Sequence, residues 1–432
     1  MTLKDNLHFW IKVYPLYLVM KFLNIAFVNE GLQKYYLNRI LKYAYKHCIY
    51  YKHIFEQLNI TDCSYKILDQ IPLLSKSDII KNKEYIYSDE IPSNYNNWAN
   101  TGGSTGEPLS FPRLTYKTPY ESAHGLYLYK EMGWKFRETI IAIDGSRVSE
   151  ENLSKNVFWT EGSNFPYGRF AMSTLYMTDE NLPFYIKFLN EINPKVLRGY
   201  PSGVRRICEY INTFKVPITF KLKGIYLTSE RVTTEDRQYI SNTLNCRVWG
   251  QYGHTEASIF SISQPGSDCY LSSPLYGFTE ILDEKGKHVD IGEIGEVVVT
   301  GFANKGCPFI RYKTGDLAEY GGEKNGWIIL NALVGRSIDY IINDAGEKIY
   351  LTGFIFGGHL RAFNYINDWQ IKQTTPGFVT IKIVQSREWT SLYEEELYQL
   401  FNSKSITIKI EYVDSIPRSK RGKRIFMLQD LK

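Results

Sequence analysis

The chain has 432 residues, of which 44% are hydrophobic and 22% are charged, an ordinary globular composition. This length excludes a single small domain and predicts two or three domains with a large buried core. The net charge of +5 is small for the length, so no nucleic-acid partner is expected.

The first segment with a clear pattern is the strongly apolar stretch 8–28, which Lys12, Pro15, Lys21 and Asn24 interrupt. It has no small-residue cleavage site, so it fits poorly as a signal peptide or as a membrane span. One interpretation is a helix pair that packs on the domain, and we favour it. The other is an interfacial amphipathic helix that contacts a membrane surface.

Alternating strands and helices follow along the chain and indicate parallel βαβ units. Residues 31–58 are predicted to be helical, and Ser75 precedes a short helix within the stretch 68–79. The predicted strands and helices of the parallel part are a strand in 139–147, a strand, turn and helix in 195–214, a strand at 222–228, a helix at 233–243, and a strand with its loop in 246–256.

From about residue 271 the pattern changes to short strands separated by Gly and Asp turns, which predicts a mostly antiparallel subdomain. The last stretch is typical of a small α+β unit, with a strand at 379–385, a helix at 390–403 and a strand at 406–413. The fold class is therefore α/β, with a large N-terminal domain of several subdomains and a small C-terminal α+β domain.

The six cysteines form no CxxC pair, and their spacing suggests neither a zinc finger nor a disulfide framework. Most are expected to be small buried residues. A reducing, cytoplasmic compartment fits them.

The stretch "TGGSTGEPL" (101–109) has two interpretations. Clusters of Gly and Ser are usually surface turns. The same residues suit a phosphate cradle, because glycines let backbone N–H groups approach an anion and the hydroxyls add donors. No Lys follows the second Gly of a GxxxxGK[ST] pattern, so the stretch is not a Walker A loop.

Four other stretches accompany this one. They are "YGHTE" (252–256), "YKTGDLAEY" (312–320), "GRSIDYIINDAGEKI" (335–349) and "IPRSKRGKRIF" (416–426). In their order and spacing, the five stretches resemble those of the adenylate-forming superfamily of acyl-CoA synthetases, ligases and adenylation domains. The short chain, "RGYPS" (198–202) and "LTSE" (227–230) are similar to the phenylacetate–CoA ligase branch, to which the CapK-type proteins of capsule polysaccharide clusters belong. The resemblance covers about residues 70 to 426.

The resemblance implies a ligase that uses ATP and Mg²⁺. A carboxylate substrate attacks the α-phosphate of ATP, which gives an acyl-adenylate and pyrophosphate, and an acceptor thiol or amine then displaces AMP. The acceptor is CoA, a carrier protein or an amine that is linked to a sugar during surface polysaccharide assembly, and the CapK-like features favour the last. A homodimer and a peripheral membrane contact are further partner expectations, and the expected location is the cytoplasm or the membrane periphery.

The resemblance also implies roles for individual residues. The β- and γ-phosphates would be held by Thr101, Gly102, Gly103, Ser104, Thr105 and Gly106. Tyr252 would stack on adenine beside the backbone of Gly250 and Gln251, with Ser229 and Glu230 bordering the nucleotide. Thr255 would reach the α-phosphate, and Glu256 would bind Mg²⁺. Asp316, in a turn, would accept hydrogen bonds from the ribose hydroxyls, and Arg336 would lie near the ribose or phosphate.

Lys423 would enter the site for adenylation and stabilise charge on the α-phosphate, with Lys420 as its competitor for that role. Asp339 fits the hinge about which the C-terminal domain rotates in this superfamily. These two positions predict an N-terminal domain of residues 1–338, which holds ATP and the acid, and a mobile C-terminal domain of residues 339–432.

Each of these residues also has an ordinary structural interpretation. Glu256 suits a solvated loop and Asp316 a turn or helix cap, while the tail that carries Lys423 suits a solvated charge run. Glu107 departs from the Lys that is common in the branch, and little in the C-terminal domain resembles a strong CoA-binding sequence. Two rival functions follow: a non-catalytic nucleotide-binding or scaffold protein of the same fold, and a protein that binds polyanions or membranes.

His254 lies inside "YGHTE" and would either line the acyl pocket or pack as a core residue. His124 and Trp134 fall in the segment that often shapes the acyl pocket in this family. These three residues complete the candidate set.

Overall fold

The computed structural model describes residues 9–95, 97–100, 109–113, 119–164, 168–336, 340–351, 362, 365–386, 389–418, 427–429 and 431. These residues divide into two compact units. The first contains the described residues up to 314 together with 318–333, and the second contains 315–317 and the described residues from 334 onward. The predicted domain boundary at 338/339 lies outside the described residues and stays a prediction.

The strands of the described residues are numbered in chain order. They are β1 (Trp98–Asn100), β2 (Ser110–Pro112), β3 (Ile140–Asp144), β4 (Trp159–Asn164), β5 (Gly168–Ser173), β6 (Val196–Gly199), β7 (Gly224–Leu227), β8 (Val248–Gly253), β9 (Phe260–Ser263), β10 (Tyr270–Ser272), β11 (Gly277–Leu282), β12 (Ile294–Gly301), β13 (Tyr312–Lys324), β14 (Trp327–Arg336), β15 (Tyr340–Ile342), β16 (Lys348–Tyr350), β17 (Ile366–Thr375), β18 (Phe378–Gln385), β19 (Thr407–Tyr412) and β20 (Met427–Gln429).

The α-helices are numbered in the same way. They are α1 (Tyr14–Phe22), α2 (Ala26–His47), α3 (Ile49–Gln57), α4 (Lys76–Lys81), α5 (Lys83–Ile86), α6 (Pro119–Glu131), α7 (Glu150–Ser154), α8 (Leu182–Ile192), α9 (Pro201–Phe214), α10 (Thr234–Leu244) and α11 (Ser391–Asn402). A π-helical turn, Phe9–Val13, leads into α1, and short 3₁₀ helices form at Tyr65–Gln70 and Thr174–Tyr176.

Twelve of these strands form one sheet, in the order β11-β12-β13-β14-β10-β9-β8-β7-β6-β3-β5-β4. The five neighbours β8, β7, β6, β3 and β5 run parallel to one another. The pairs β8–β9, β9–β10, β10–β14 and β11–β12 are antiparallel, and so is β4 with β5 at the opposite edge. The change from a parallel to an antiparallel arrangement confirms the predicted fold class.

Helices cover both faces of the parallel strands because alternate strand residues point to opposite sides of a sheet. On one face, Ile225 and Leu227 of β7 pack with α8, α9 and α10. On the other, Tyr226 of the same strand packs with α1 and α6. The predicted strand–helix pairs β6–α9 and β7–α10 are confirmed. They form part of this three-layer packing.

The predicted N-terminal helix pair is confirmed, since α1 buries Tyr17 and Met20 against α6 and the sheet. The single helix predicted over 31–58 is wrong in one detail, because the chain is extended at Cys48, between α2 and α3. Cys48 is 2% exposed and belongs to the core that α2 and α3 share. Among the described residues, no helix is long and apolar enough to cross a membrane.

The second unit contains a four-stranded sheet in the order β19-β18-β17-β20, with α11 packed on it. Strand β18, helix α11 and strand β19 form a parallel crossover, which confirms the predicted strand, helix and strand at the C-terminal end. Strands β15 and β16 pair as a separate antiparallel hairpin.

Candidate active site

Three neighbouring parallel strands, β6, β7 and β8, end at the same edge of the sheet. Gly199 pairs with Leu227, and Leu227 pairs with Gly250, so the strand ends are in register. The loops that follow carry the predicted residues 228–230 and 254–256. Because ligands of open α/β sheets bind beyond the carboxyl ends of the strands, this edge is the candidate active site.

Glu256 lies just beyond β8 and only 7% of it is exposed. The Nδ1 atom of His254 lies 3.3 Å from its Oε2, and the Tyr312 hydroxyl donates to its Oε1 at 3.3 Å. Burial raises the pKa of Glu256, but the neighbouring His254 outweighs burial and holds that pKa below its ordinary value. Glu256 is therefore ionised at neutral pH, and an ionised carboxylate is an oxygen ligand that suits Mg²⁺.

His254 keeps hydrogen-bonding capacity at this edge. Both of its ring nitrogens are buried, and among the described residues neither has an aligned hydrogen-bond partner. Its Nδ1 nevertheless lies 3.3 Å from the Glu256 carboxylate. Its ring also meets the ring of Tyr252 edge-on, with 6.2 Å between centroids. A ring held by packing with spare donor or acceptor capacity suits either of the two roles considered for it.

Tyr312 is a site residue that the sequence reasoning missed. It is the first residue of β13, and its backbone neighbours pair with Leu74: Leu74 N donates to the Arg311 carbonyl and Lys313 N donates to the Leu74 carbonyl, both at 2.9 Å. Tyr312 is 4% exposed. The sequence signal for Tyr312 is its position at the start of "YKTGD", a stretch in which the sequence analysis predicts only Asp316 as a site residue.

Hydrogen bonds tie the three strand ends together beneath the site. Thr228 N, just past β7, donates to the carbonyl oxygen of Gly199 at 2.9 Å. The Thr228 hydroxyl donates to the side-chain oxygen of Gln251 on β8. A Cβ atom at Gly253 would lie 2.9 Å from the backbone oxygen of Ile259, so a larger residue here would require the backbone to move. The hydrogen bond from Thr228 orients the Gln251 side chain.

Gly250 occupies a position at which the backbone is crowded from one side. Its N–H donates to the Ser263 hydroxyl at 3.0 Å, so this amide is already satisfied within the protein. A Cβ atom here would lie 2.7 Å from Nη2 of the buried Arg237 and 2.8 Å from the Tyr270 hydroxyl. The absence of a side chain is what lets Arg237 and Tyr270 pack under this strand, and Tyr270 accepts from Arg237 at 3.0 Å.

The carboxylate of Glu230 binds the start of α9. Ser202 donates to it twice, from its backbone N–H and from its hydroxyl, each at 3.0 Å. An acidic group is favourable there because the first N–H groups of a helix lack partners within the helix. Ser229 precedes it with φ +72°, a left-handed conformation. Both residues lie at this edge of the sheet, and the Glu230 side chain joins its own loop to the start of α9.

Two further predicted residues lie at this edge of the sheet. Tyr252, near the end of β8, is half-buried against the apolar cluster around β11 to β14. Thr255 is half-buried in the turn between His254 and Glu256. Their proposed contacts with adenine and the α-phosphate stay predictions.

The prediction that Asp316 lies in a turn is wrong. Asp316 lies inside β13. Two residues earlier in the same strand, the Thr314 hydroxyl donates a hydrogen bond to the Val297 carbonyl of β12 at 2.7 Å. Gly315 has φ +76°, which only glycine adopts readily, so the strand is locally irregular just before Asp316. The glycine that suggested a turn therefore bends a continuous strand.

Several predicted residues lie outside the described parts of the chain. They are Thr101, Gly102, Gly103, Ser104, Thr105, Gly106, Asp339 and Lys423. Arg336 ends β14, and the structure describes its backbone only. The roles suggested for these residues stay predictions.

His124, in the segment linked with the acyl pocket, is a satisfied core residue. It is 0% exposed, its Nδ1 donates to the Tyr120 carbonyl at 2.6 Å, and its Nε2 accepts from the Ser273 hydroxyl at 2.7 Å. Burial lowers the pKa of His124 to about 4, so the ring is neutral at pH 7. Trp134 is also buried, and its indole N–H donates to the Glu138 carbonyl at 2.9 Å.

No sequence-family profile matches the chain. Protein CapK of Staphylococcus aureus is 26% identical to it over 417 residues, which cover 94% of this chain and 89% of that protein. Phenylacetate-coenzyme A ligase of Pseudomonas putida is 19% identical over 276 residues, which cover 62% of this chain and 57% of that enzyme. The chain belongs to the adenylate-forming superfamily, in its CapK-like branch.

The fold of this adenylate-forming enzyme agrees with that assignment. The crystal structure of 2-hydroxyisobutyryl-CoA ligase, in the postadenylation state in complex with 2-HIB-AMP, has a TM-score of 0.70 to it at 17% identity. The match covers 93% of this chain and 89% of that one. The adenylate-forming enzyme is an AMP-forming ligase, and the resemblance carried by its five motifs is confirmed at the level of family and fold.

Proposed function

We propose that this adenylate-forming enzyme activates its carboxylic acid with ATP at the carboxyl edge of β6, β7 and β8. The observation that carries the proposal is the buried, ionised Glu256 beyond β8, in contact with His254 and Tyr312. A carboxylate substrate and a triphosphate are both anions, so positive charge and N–H donors must offset their repulsion. Glu256 would hold Mg²⁺, which supplies part of that positive charge when bound.

The remaining residues would bind and orient ATP. Tyr252 would stack on adenine, Asp316 would accept from the ribose hydroxyls, and Thr255 would donate to the α-phosphate. Ser104 and Thr105 would donate to the terminal phosphates. The hydrogen bonds beneath the site support this assignment, because a rigid Gln251 and Glu230 would keep the loops in one arrangement before ATP binds.

The chemistry proceeds in two displacements. One oxygen of the substrate carboxylate attacks the α-phosphorus of ATP, and the bond to the bridging oxygen of pyrophosphate breaks. The acceptor amine or thiol, having lost its proton, then attacks the acyl carbon and displaces AMP. Lys423 would donate to the phosphate oxygens as charge shifts onto pyrophosphate, as the C-terminal lysine is expected to do in this superfamily.

We further propose that the acceptor is an amine on a sugar or sugar precursor, used in surface polysaccharide assembly. The relationship to CapK supports this choice, because a CapK relative fits a polysaccharide context. The C-terminal part carries little that resembles a strong CoA-binding sequence, which favours an amine over CoA. CoA and a carrier protein are the other acceptors. All of the described cysteines are free, which fits the proposed cytoplasmic location.

The deciding experiment is ATP–pyrophosphate exchange with a panel of aromatic acids, amino acids and uronic acids. We expect exchange that depends on one class of acid and is lost in Glu256→Gln. Glu284→Gln, in an exposed loop, is the matched control and should keep full exchange. Nucleotide binding without exchange for any acid would favour the non-catalytic alternative instead.

Once an acid is known, the acceptor is found by supplying an amino sugar, CoA or a carrier protein and measuring AMP release and product mass. We expect an amide with the amino sugar. A thioester formed at a greater rate would refute the amine assignment and leave the first half-reaction intact.

A further inference from the structure

The turn that joins α1 to α2 exposes a group of large apolar side chains. Phe22 is 68% exposed, Leu23 49%, Ile25 54% and Phe27 85%. Single exposed apolar side chains are ordinary on a protein surface, but four within six residues form a patch that water solvates poorly. We call these four residues the apolar corner.

The buried Asn29 and the half-buried Asn24 anchor the apolar corner to the sheet. Asn29, which is 1% exposed, donates to the side chain of Asn24 at 2.8 Å and to the Asn325 carbonyl at 2.7 Å. The indole N–H of Trp327 also donates to the Asn24 side chain, at 2.8 Å. These bonds join the turn to the hairpin between β13 and β14. The backbone of the corner is therefore fixed while its apolar side chains remain in solvent.

The segment that leads into the apolar corner carries only positive charges. Residues 9–28 contain Lys12 and Lys21 and no acidic residue, and both lysines are exposed. The Lys21 Nζ lies 5.5 Å from the centroid of the Phe22 ring.

We propose that the apolar corner inserts into the interface of a lipid bilayer that contains anionic phospholipid. The four apolar side chains would enter the boundary between headgroups and acyl chains, and Lys12 and Lys21 would remain among the headgroups. This arrangement matches the two features of the surface, an exposed aromatic and aliphatic tip with cations around it. The proposal does not depend on which acid or acceptor the enzyme uses.

Two features of the corner favour a bilayer over a protein partner. The cores of protein interfaces are depleted in lysine, whereas Lys21 contacts Phe22 directly. In a twofold dimer through this corner, Lys12 and Lys21 of one copy would face the same lysines of the other, which is unfavourable. An anionic membrane surface attracts these charges instead.

The test is co-sedimentation of the full-length enzyme with phosphatidylcholine vesicles prepared with and without phosphatidylglycerol. We expect binding to the anionic vesicles that weakens as salt is added, because exposed charges are screened. Phe22→Ser with Phe27→Ser should lower the affinity by at least about tenfold, since two large apolar side chains no longer leave water. Lys12→Gln with Lys21→Gln should remove the preference for phosphatidylglycerol.

The matched control is Ile291→Ser with Ile294→Ser, a second pair of exposed apolar residues, 71% and 54% exposed, elsewhere on the protein. This variant should bind vesicles as the wild type does, and both double variants should keep the wild-type thermal midpoint. Wild-type enzyme that ignores anionic vesicles, or undiminished binding by Phe22→Ser with Phe27→Ser, would overturn the proposal. A wild-type dimer that this variant turns into a monomer, without any binding to lipid, would assign the corner to a second copy of the chain.

Discussion

The Tyr312 hydroxyl donates a hydrogen bond to the Glu256 carboxylate, although the two residues are 56 positions apart in the sequence. Glu256 follows β8, and Tyr312 begins β13 next to the pairing with Leu74. The bond links the proposed metal ligand to a rigid part of the fold. Loss of Tyr312 should therefore act through Glu256.

Tyr312→Phe keeps the ring and removes only this hydrogen bond. We expect the rate of ATP–pyrophosphate exchange to fall about two- to tenfold, the range for one hydrogen bond worth 0.5–1.5 kcal/mol. Glu256→Gln should cost more, because a neutral amide is a poorer ligand for a hard dication. In a double-mutant cycle, Tyr312→Phe should have little further effect once Glu256 is Gln. Additive losses would mean that Tyr312 acts independently of Glu256.

Glu230 should contribute to stability through the start of α9. Glu230→Ala removes the acceptor of both bonds from Ser202, and the expected loss in free energy of unfolding is about 1–2 kcal/mol, as for a lost helix cap. Chemical denaturation measures it, with Glu284→Ala in an exposed loop as the control. If Glu230→Ala instead kept full stability and lost only affinity for ATP, the side chain would be a nucleotide ligand and its role as a brace would be refuted.

His124 should make the first unit less stable in mild acid. Its pKa in the folded protein, about 4, is below that of an unfolded histidine, near 6.5, so the unfolded chain binds more protons between these values. Above pH 6.5 the neutral His124 ring makes its full contribution to the free energy of unfolding. This contribution is lost as the pH falls towards 4. The expected loss between pH 7 and pH 5 is about 2 kcal/mol.

Urea denaturation at several pH values tests this expectation for His124. His124→Gln, which does not titrate, should flatten the pH dependence even if it lowers stability overall. His53→Gln is the control, because His53 is exposed and should leave the slope as it is in the wild type. An unchanged slope in His124→Gln would show that the buried ring is not the titrating group.

Lys423 should matter for only one of the two half-reactions. Lys423→Ala should slow adenylation by about two orders of magnitude or more, by analogy with the loss of one positioned transition-state donor. The same variant, supplied with synthetic acyl-adenylate, should pass the acyl group to the acceptor at nearly the normal rate. Lys420→Ala is the matched control. Equal losses in both half-reactions would give Lys423 a structural role. A loss confined to Lys420→Ala would mean that Lys420, and not Lys423, is the catalytic lysine.

Local patterns in the sequence determined much of the fold. The strand–turn–helix units β6–α9 and β7–α10 could be predicted because their apolar periods and their Gly and Pro turns act within a few residues. The break at Cys48 could not, since no Gly or Pro marks it and Cys48 is extended where it enters the core shared by α2 and α3. For Asp316 the local pattern was misleading. Gly315 suggested a turn, but it only bends a strand, and pairing with the neighbouring strands keeps that strand continuous.

The sequence by itself determined the superfamily, because the five motifs keep their order along the chain. Only the tertiary structure decided the partners of the side chains. Tyr312 reaches Glu256, Ser202 binds Glu230, and Asn29 fixes the exposed turn that begins at Phe22. These contacts join residues that are close only after the strands have taken their places in the sheet. The order of strands depends on packing over the whole unit, which local propensity does not encode.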